Sequence, residues 1–101
     1  MRLKARKHMP ERTATIASKV GLHARPASIF AEAVSNLDLE VTIGPEGASP
    51  EEAQDAASIL SLMSLGASHG DVVVLRAEGR GAAQALDQLA KILETDHDPE
   101  A

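Results

Sequence analysis

The chain has no cysteine, tryptophan or tyrosine, and Phe30 is its single aromatic residue. Without thiols, disulfide staples and thiolate metal sites are excluded. Without aromatic bulk, the core must be assembled from Leu, Ile, Val, Met and many Ala. The 101 residues suffice for one domain with a modest core. Long hydrophobic runs are also missing, so membrane insertion is not expected. The basic residues near the start are followed by no apolar stretch, unlike a secretory signal. A cytoplasmic location is the resulting expectation.

Positive charge is scarce outside the N-terminus. Residues 13–101 hold five basic and fourteen acidic residues, whereas residues 1–12 hold five basic and one acidic. An acidic body repels nucleic acid phosphates, so no nucleic acid partner is expected. The patterning predicts a basic disordered leader over 1–12, a folded domain over 13–95 and an acidic tail over 96–101. Met1 and Met9 both remain possible natural starts.

What is present is a mixture of short periodic segments. Thr13–Ala17 alternates loosely, a weak strand signal. A helix is predicted from Pro26, since proline suits the first helical position. Phe30, Val34 and Leu37 form its apolar stripe, and it should stop around Asn36–Asp38. Asp38–Gly44 alternates cleanly, with Leu39, Val41 and Ile43 on one side and Asp38, Glu40 and Thr42 on the other. Gly44-Pro45-Glu46-Gly47 is a turn cluster. Ala48–Asp55 is acidic and reads either as a short edge strand or as a solvated loop. Ala56–Leu65 is a short helix candidate ended by Gly66. Asp71–Glu78 is a valine-rich strand. Ala82–Thr95 is an amphipathic helix with Ala82, Leu86, Leu89, Ala90 and Leu93 on one face. This order implies an α+β fold, with helices on one side of a sheet whose other side meets water.

The chemistry concentrates in Gly21-Leu22-His23-Ala24-Arg25-Pro26. His23 stands just before a helix start, where the first N–H groups lack internal acceptors and the dipole is positive. A neutral imidazole there has a lone pair for attack on phosphorus. The resulting anion would meet the unpaired N–H donors of the helix start, around Ala24 and Pro26. Arg25 adds a charged fork suited to phosphate oxygens. Gly21 permits the turn that aims the ring outward. A lone histidine before a helix is more often a turn or capping residue. No second acid, base or metal cluster lies nearby, which favours a carrier over an enzyme with its own pocket.

The run from Gly21 to Ser28, together with Ala57-Ser58-Ile59-Leu60-Ser61-Leu62-Met63-Ser64-Leu65-Gly66, closely resembles the histidine-containing phosphocarrier family HPr of the sugar phosphotransferase system. The resemblance spans about Thr13 to Thr95. It implies an open-faced β-sandwich: a four-stranded antiparallel sheet with three helices on one face. It implies that His23 accepts a phosphoryl group on Nδ1 from phosphorylated enzyme I, itself charged by phosphoenolpyruvate. The group would then pass to the A components of sugar permeases. A carrier of this kind is not an enzyme, needs no cofactor or metal, and is expected to be a monomer. The resemblance also makes Ala24, Ala27, Ser28, Ile59, Leu60 and Met63 the docking face.

The residues of the second helix candidate bear on that face independently. Ser58, Ser61 and Ser64 are its only polar positions, on a narrow line. Ile59, Leu60, Leu62, Met63 and Leu65 exceed what one buried face requires, so an exposed apolar patch is expected. Ser58 matches a position that many relatives have phosphorylated, where a phosphate would hinder acidic partners. Ala57, in place of the usual basic residue, and nearby Asp55 count against that role. A plain helix-start serine is the alternative. His8, His69 and His97 have no metal-ligand spacing and read as exposed and inert. Two other functions stay open: a regulatory relay that controls metabolism through regulatory proteins, and an interaction module that is never phosphorylated.

Overall fold

The computed structural model describes residues 10–19 and 21–95. Eight segments follow in chain order: β1 (Glu11–Thr15), α1 (Ala24–Ser35), β2 (Val41–Pro45), a 3₁₀ turn (Pro50–Glu52), β3 (Gln54–Asp55), α2 (Ile59–Ser64), β4 (Val72–Ala77) and α3 (Ala82–Leu93). The strands form one antiparallel sheet in the order β1-β4-β2-β3. All three helices cover one face of it.

The core follows from the two periodicities of the sequence. Ala14, Val41, Ile43, Val73, Leu75 and Ala77 point from the strands toward the helices. Ala27, Phe30, Ala31 and Val34 meet them from α1, Leu62 from α2, and Leu86, Leu89, Ala90 and Leu93 from α3. Phe30 lies wholly buried, as the one aromatic of a small core should. The faces expected for α1 and α3 are thus those that are buried.

Boundaries moved for identifiable reasons. α1 starts at Ala24, two residues before the expected start, with Pro26 third in the helix rather than first. Its first turn tolerates proline because those N–H groups have no intrahelical acceptor. The first backbone bond of the helix runs from Ala27 N–H to the His23 carbonyl at 2.9 Å. α2 begins at Ile59 instead of Ala56. The Ala56 N–H donates to the Val41 carbonyl at 3.0 Å, the Ala57 N–H to Asp55 Oδ1 at 2.9 Å, and Ser58 Oγ caps the Ser61 N–H at 3.2 Å. These bonds engage residues 56–58 before a helix can form.

β1 begins at Glu11, so Glu11 and Arg12 lie in the sheet and not in the expected leader. Arg12 reaches Asp87 at 3.6 Å and Glu94 at 3.8 Å, tying β1 to α3. The expected leader before residue 10 and the acidic tail from Asp96 lie outside the described residues.

The acidic 44–55 segment is neither wholly a loop nor wholly a strand. Gln54 and Asp55 pair with Ile43 and Thr42 as a two-residue edge strand. Residues 46–53 fold over the helix-free face of the sheet. Gly44 faces that side, and a Cβ there would lie 3.2 Å from Ala48 Cβ and 3.7 Å from Ala53 Cα. Ala48 is buried, and beneath this strap lie Val74 and Arg76, the latter only 7% exposed. Arg76 Nη2 donates to the Ala48 carbonyl at 2.8 Å, and its Nε donates to Glu11 at 2.8 Å. The expected water-facing side of the sheet is therefore partly covered.

Candidate functional site

His23 is the N-cap of α1, with extended backbone at φ −102° and ψ −168°. The loop that delivers it is held by main-chain bonds. Gly21 N–H donates to the Ser18 carbonyl, Leu22 N–H to the Ala67 carbonyl and His23 N–H to the Gly21 carbonyl, each at 3.0 Å. Leu22 is buried and anchors the loop in the core. His23 is half-buried, while Ala24 and Arg25 are exposed. A histidine, an arginine and a helix start thus share one small surface. The N–H groups of Ala24 and Arg25 have no acceptor within the helix. Pro26 is buried and contributes backbone shape, not surface.

The residues expected to dock partners divide. Ile59, Leu60 and Met63 are 42%, 80% and 43% exposed, the large hydrophobic side chains that stand out on the surface. Leu62 is the buried anchor of α2, and Leu65 is half-buried. Ser28 is exposed on α1. Ala27 does not fit: it is 0% exposed and packs in the core with Phe30 and Ala31. It sits three residues before Phe30 and so shares the inward stripe. Its side chain therefore lies in the core and not on the surface beside His23.

Ser58 is the N-cap of α2, half-buried, with its hydroxyl accepting the Ser61 N–H. The helix-start reading accounts for this geometry without any modification. His69 lies exposed in the turn between α2 and β4, and His8 and His97 fall outside the described residues. Among the described residues no group of His, Asp or Glu could hold a metal ion.

Three surface clefts of about 420, 360 and 230 Å³ lie elsewhere, and none is lined by residues of the His23 loop. His23 itself is half-buried, beside the exposed Ala24 and Arg25. That suits a group handed to another protein better than a small substrate held in place. One element of the site escaped the sequence reading. The segment after α2, Gly66–Asp71, lies directly against the His23 loop through the Ala67 carbonyl. Along the sequence Gly66 reads only as the end of a helix, which gives no sign of this contact.

Similarity to known proteins follows the same residues. A family model described as "PTS HPr component phosphorylation site" matches residues 10–95. The chain is 45% identical over 91 residues to the phosphocarrier protein HPr of Haloferax volcanii, covering 90% of this chain and 97% of that one. It is 42% identical to HPr of Streptomyces coelicolor, over 84% and 88% of the two chains. The crystal structure of HPr from Bacillus anthracis superimposes with a TM-score of 0.74 at 29% identity, covering 84% and 96%. An HPr dimer from Thermoanaerobacter tengcongensis matches with a TM-score of 0.58 at 37% identity, over 78% and 86%. Dimers thus occur among these relatives, so the expectation of a monomer is not carried forward. No helix among the described residues is long and apolar enough to cross a membrane. By sequence, fold and motif together, the chain belongs to the HPr family of the phosphotransferase system, whose members are phosphoryl carriers and not enzymes.

Proposed function

We propose that this chain accepts a phosphoryl group on Nδ1 of His23 from phosphorylated enzyme I and passes it to the A components of sugar permeases. The observation that carries the reading is the position of His23 as N-cap of α1, at the surface, two residues before an exposed arginine.

The chemistry is a symmetrical exchange. The Nδ1 lone pair of the neutral ring forms a bond to phosphorus. The donor's bond to phosphorus breaks, and its electron pair returns to the donor. Nδ1 is the ring nitrogen nearer the backbone, so a phosphate on it lies toward the first turn of α1. Unpaired N–H groups and the positive helix end stabilise the anion there. The Arg25 fork adds charge-assisted bonds as charge spreads over the equatorial oxygens. Leaving the carrier reverses these steps. Ile59, Leu60, Met63, Ala24 and Ser28 form the contact surface, and methionine adapts to several partners in turn. A phosphate on Ser58 would put roughly two negative charges beside that surface. We place the relay in the cytoplasm.

The test is incubation with phosphoenolpyruvate and cognate enzyme I, followed by mass spectrometry. One acid-labile, base-stable phosphate is expected, and His23→Ala abolishes it. Arg25→Ala slows transfer by about tenfold, the worth of one charged hydrogen bond, with the circular dichroism spectrum unchanged. A wild-type chain that takes no label from active enzyme I overturns the proposal.

A further inference from the structure

His23 has two supports in this fold. One is α1, which it caps. The other is the segment that follows the exposed apolar helix. Gly66 N–H donates to the Met63 carbonyl at 3.2 Å, which ties the start of this segment to α2. Ala67 then offers its carbonyl to Leu22 N–H at 3.0 Å, one residue before His23. The segment is itself braced. Ser68 N–H donates to Asp71 Oδ2 at 2.9 Å, Asp71 N–H to the Ser68 carbonyl at 2.9 Å, and Gly70 N–H to the Ile16 carbonyl at 2.9 Å. Ile16 N–H returns a bond to the Asp71 carbonyl at 2.9 Å. The segment is therefore a hydrogen-bonded bridge between α2, the end of β1 and the His23 loop.

Gly21 is where the bridge presses on the loop. Its φ is +85°, which L side chains rarely adopt. A Cβ built there would also stand 2.6 Å from the Ala67 carbonyl oxygen and 3.1 Å from Ser68 Cα. Both neighbours are backbone, so neither can swing aside as a side chain would. The residue must be glycine for two independent reasons.

We infer that the Gly66–Asp71 bridge is a positioning element for His23, acting through the close approach of Gly21 to Ala67 and Ser68. A partner that grips Ile59, Leu60 and Met63 then also grips the support of the reacting ring. The inference rests on the carrier reading for its consequence in phosphoryl transfer, but its geometry is measurable without any transfer. Reacting atoms misplaced by about 1 Å lose up to a hundredfold in rate, so a loosened bridge should reach the rate even with the apolar patch intact.

Three variants test it, each read by hydrogen exchange at the Leu22 amide and by steady-state transfer from enzyme I. Gly21→Ala is expected to expose the Leu22 amide and to lower the kcat of enzyme I toward this carrier at least tenfold, with the KM for the carrier within twofold of wild type. Gly21→Asn tolerates the positive φ but still carries a Cβ, so it should behave like Gly21→Ala. Recovery by Asn alone would trace the glycine to its backbone angle and overturn the close-approach assignment. Ala67→Gly loosens the bridge from its own side without a clash, and serves where the Gly21 variants fail to fold. It should speed Leu22 exchange and lower kcat two- to threefold. A protected Leu22 amide in all three variants, or an exposed one with kcat unchanged, overturns the inference. If wild type takes no phosphate, the carrier reading fails, and Leu22 exchange alone decides whether the bridge holds the loop.

Discussion

Two irregular segments of this molecule are held down in different ways. The His23 loop is pinned by backbone: the Ser18, Gly21 and Ala67 carbonyls accept its N–H groups, and Gly21 makes room for the neighbouring chain. The 46–53 strap on the opposite face has one main-chain tie to β4, Glu46 N–H to the Val72 carbonyl at 3.0 Å, and is otherwise held by a side chain, Arg76, buried with Nη1 unpartnered among the described residues. Main-chain anchoring holds a loop without drawing on its side chains, which suits the relay role proposed for His23 and Arg25. Side-chain anchoring makes the strap depend on one buried charge and its counter-ion. The first arrangement suits the proposed exchange with partners, and the second ties the strap to the sheet.

The comparison can be broken at several strengths. Its largest expected effect is on transfer, through the Gly21 variants, where rate falls while the strap is untouched. On stability, Glu11→Ala should cost the most. It leaves the Arg76 guanidinium buried without its carboxylate, at about 2 kcal/mol; the half-exposed Glu11 side chain keeps this below the full cost of breaking a buried pair. Urea denaturation measures it, and transfer to His23 should be unchanged. Arg76→Met should cost less, about 1 kcal/mol, because the buried charge leaves together with its desolvation: the Ala48 carbonyl loses a partner, and the half-exposed Glu11 carboxylate, which loses its own, can turn to water. If Arg76→Met proved the more damaging of the two, the strap would depend on packing around the long side chain and not on charge. A transfer defect in either variant would mean that the two segments are coupled.

The legibility of these segments differs for the same reason. Gly21-Leu22-His23-Ala24-Arg25-Pro26 is contiguous, so its chemistry could be read along the chain. The inward stripes of α1 and α3 and the alternation of Val41 and Ile43 were also readable, because each repeats within one element. Arg76 was not. In Val72-Val73-Val74-Leu75-Arg76-Ala77 it reads as the polar end of a strand, and only the strap folding over it makes it buried. β3 has two residues, too few for any period to appear. The family resemblance puts Ala27 on the docking face, although its spacing from Phe30 points inward.

By itself the sequence singled out His23 as the candidate residue, and it determined the family and the inward faces of the regular elements. These depend on residue type and on spacing of a few positions. The tertiary structure alone decided what lies against the His23 loop, which apolar residues of α2 stay exposed, and that Arg76 is buried. Each of those depends on contacts between segments far apart in the chain: Ala67 against Gly21, Leu62 against the core, Ala48 against Arg76. Such contacts form only when several elements pack at once, and no local periodicity encodes their partners.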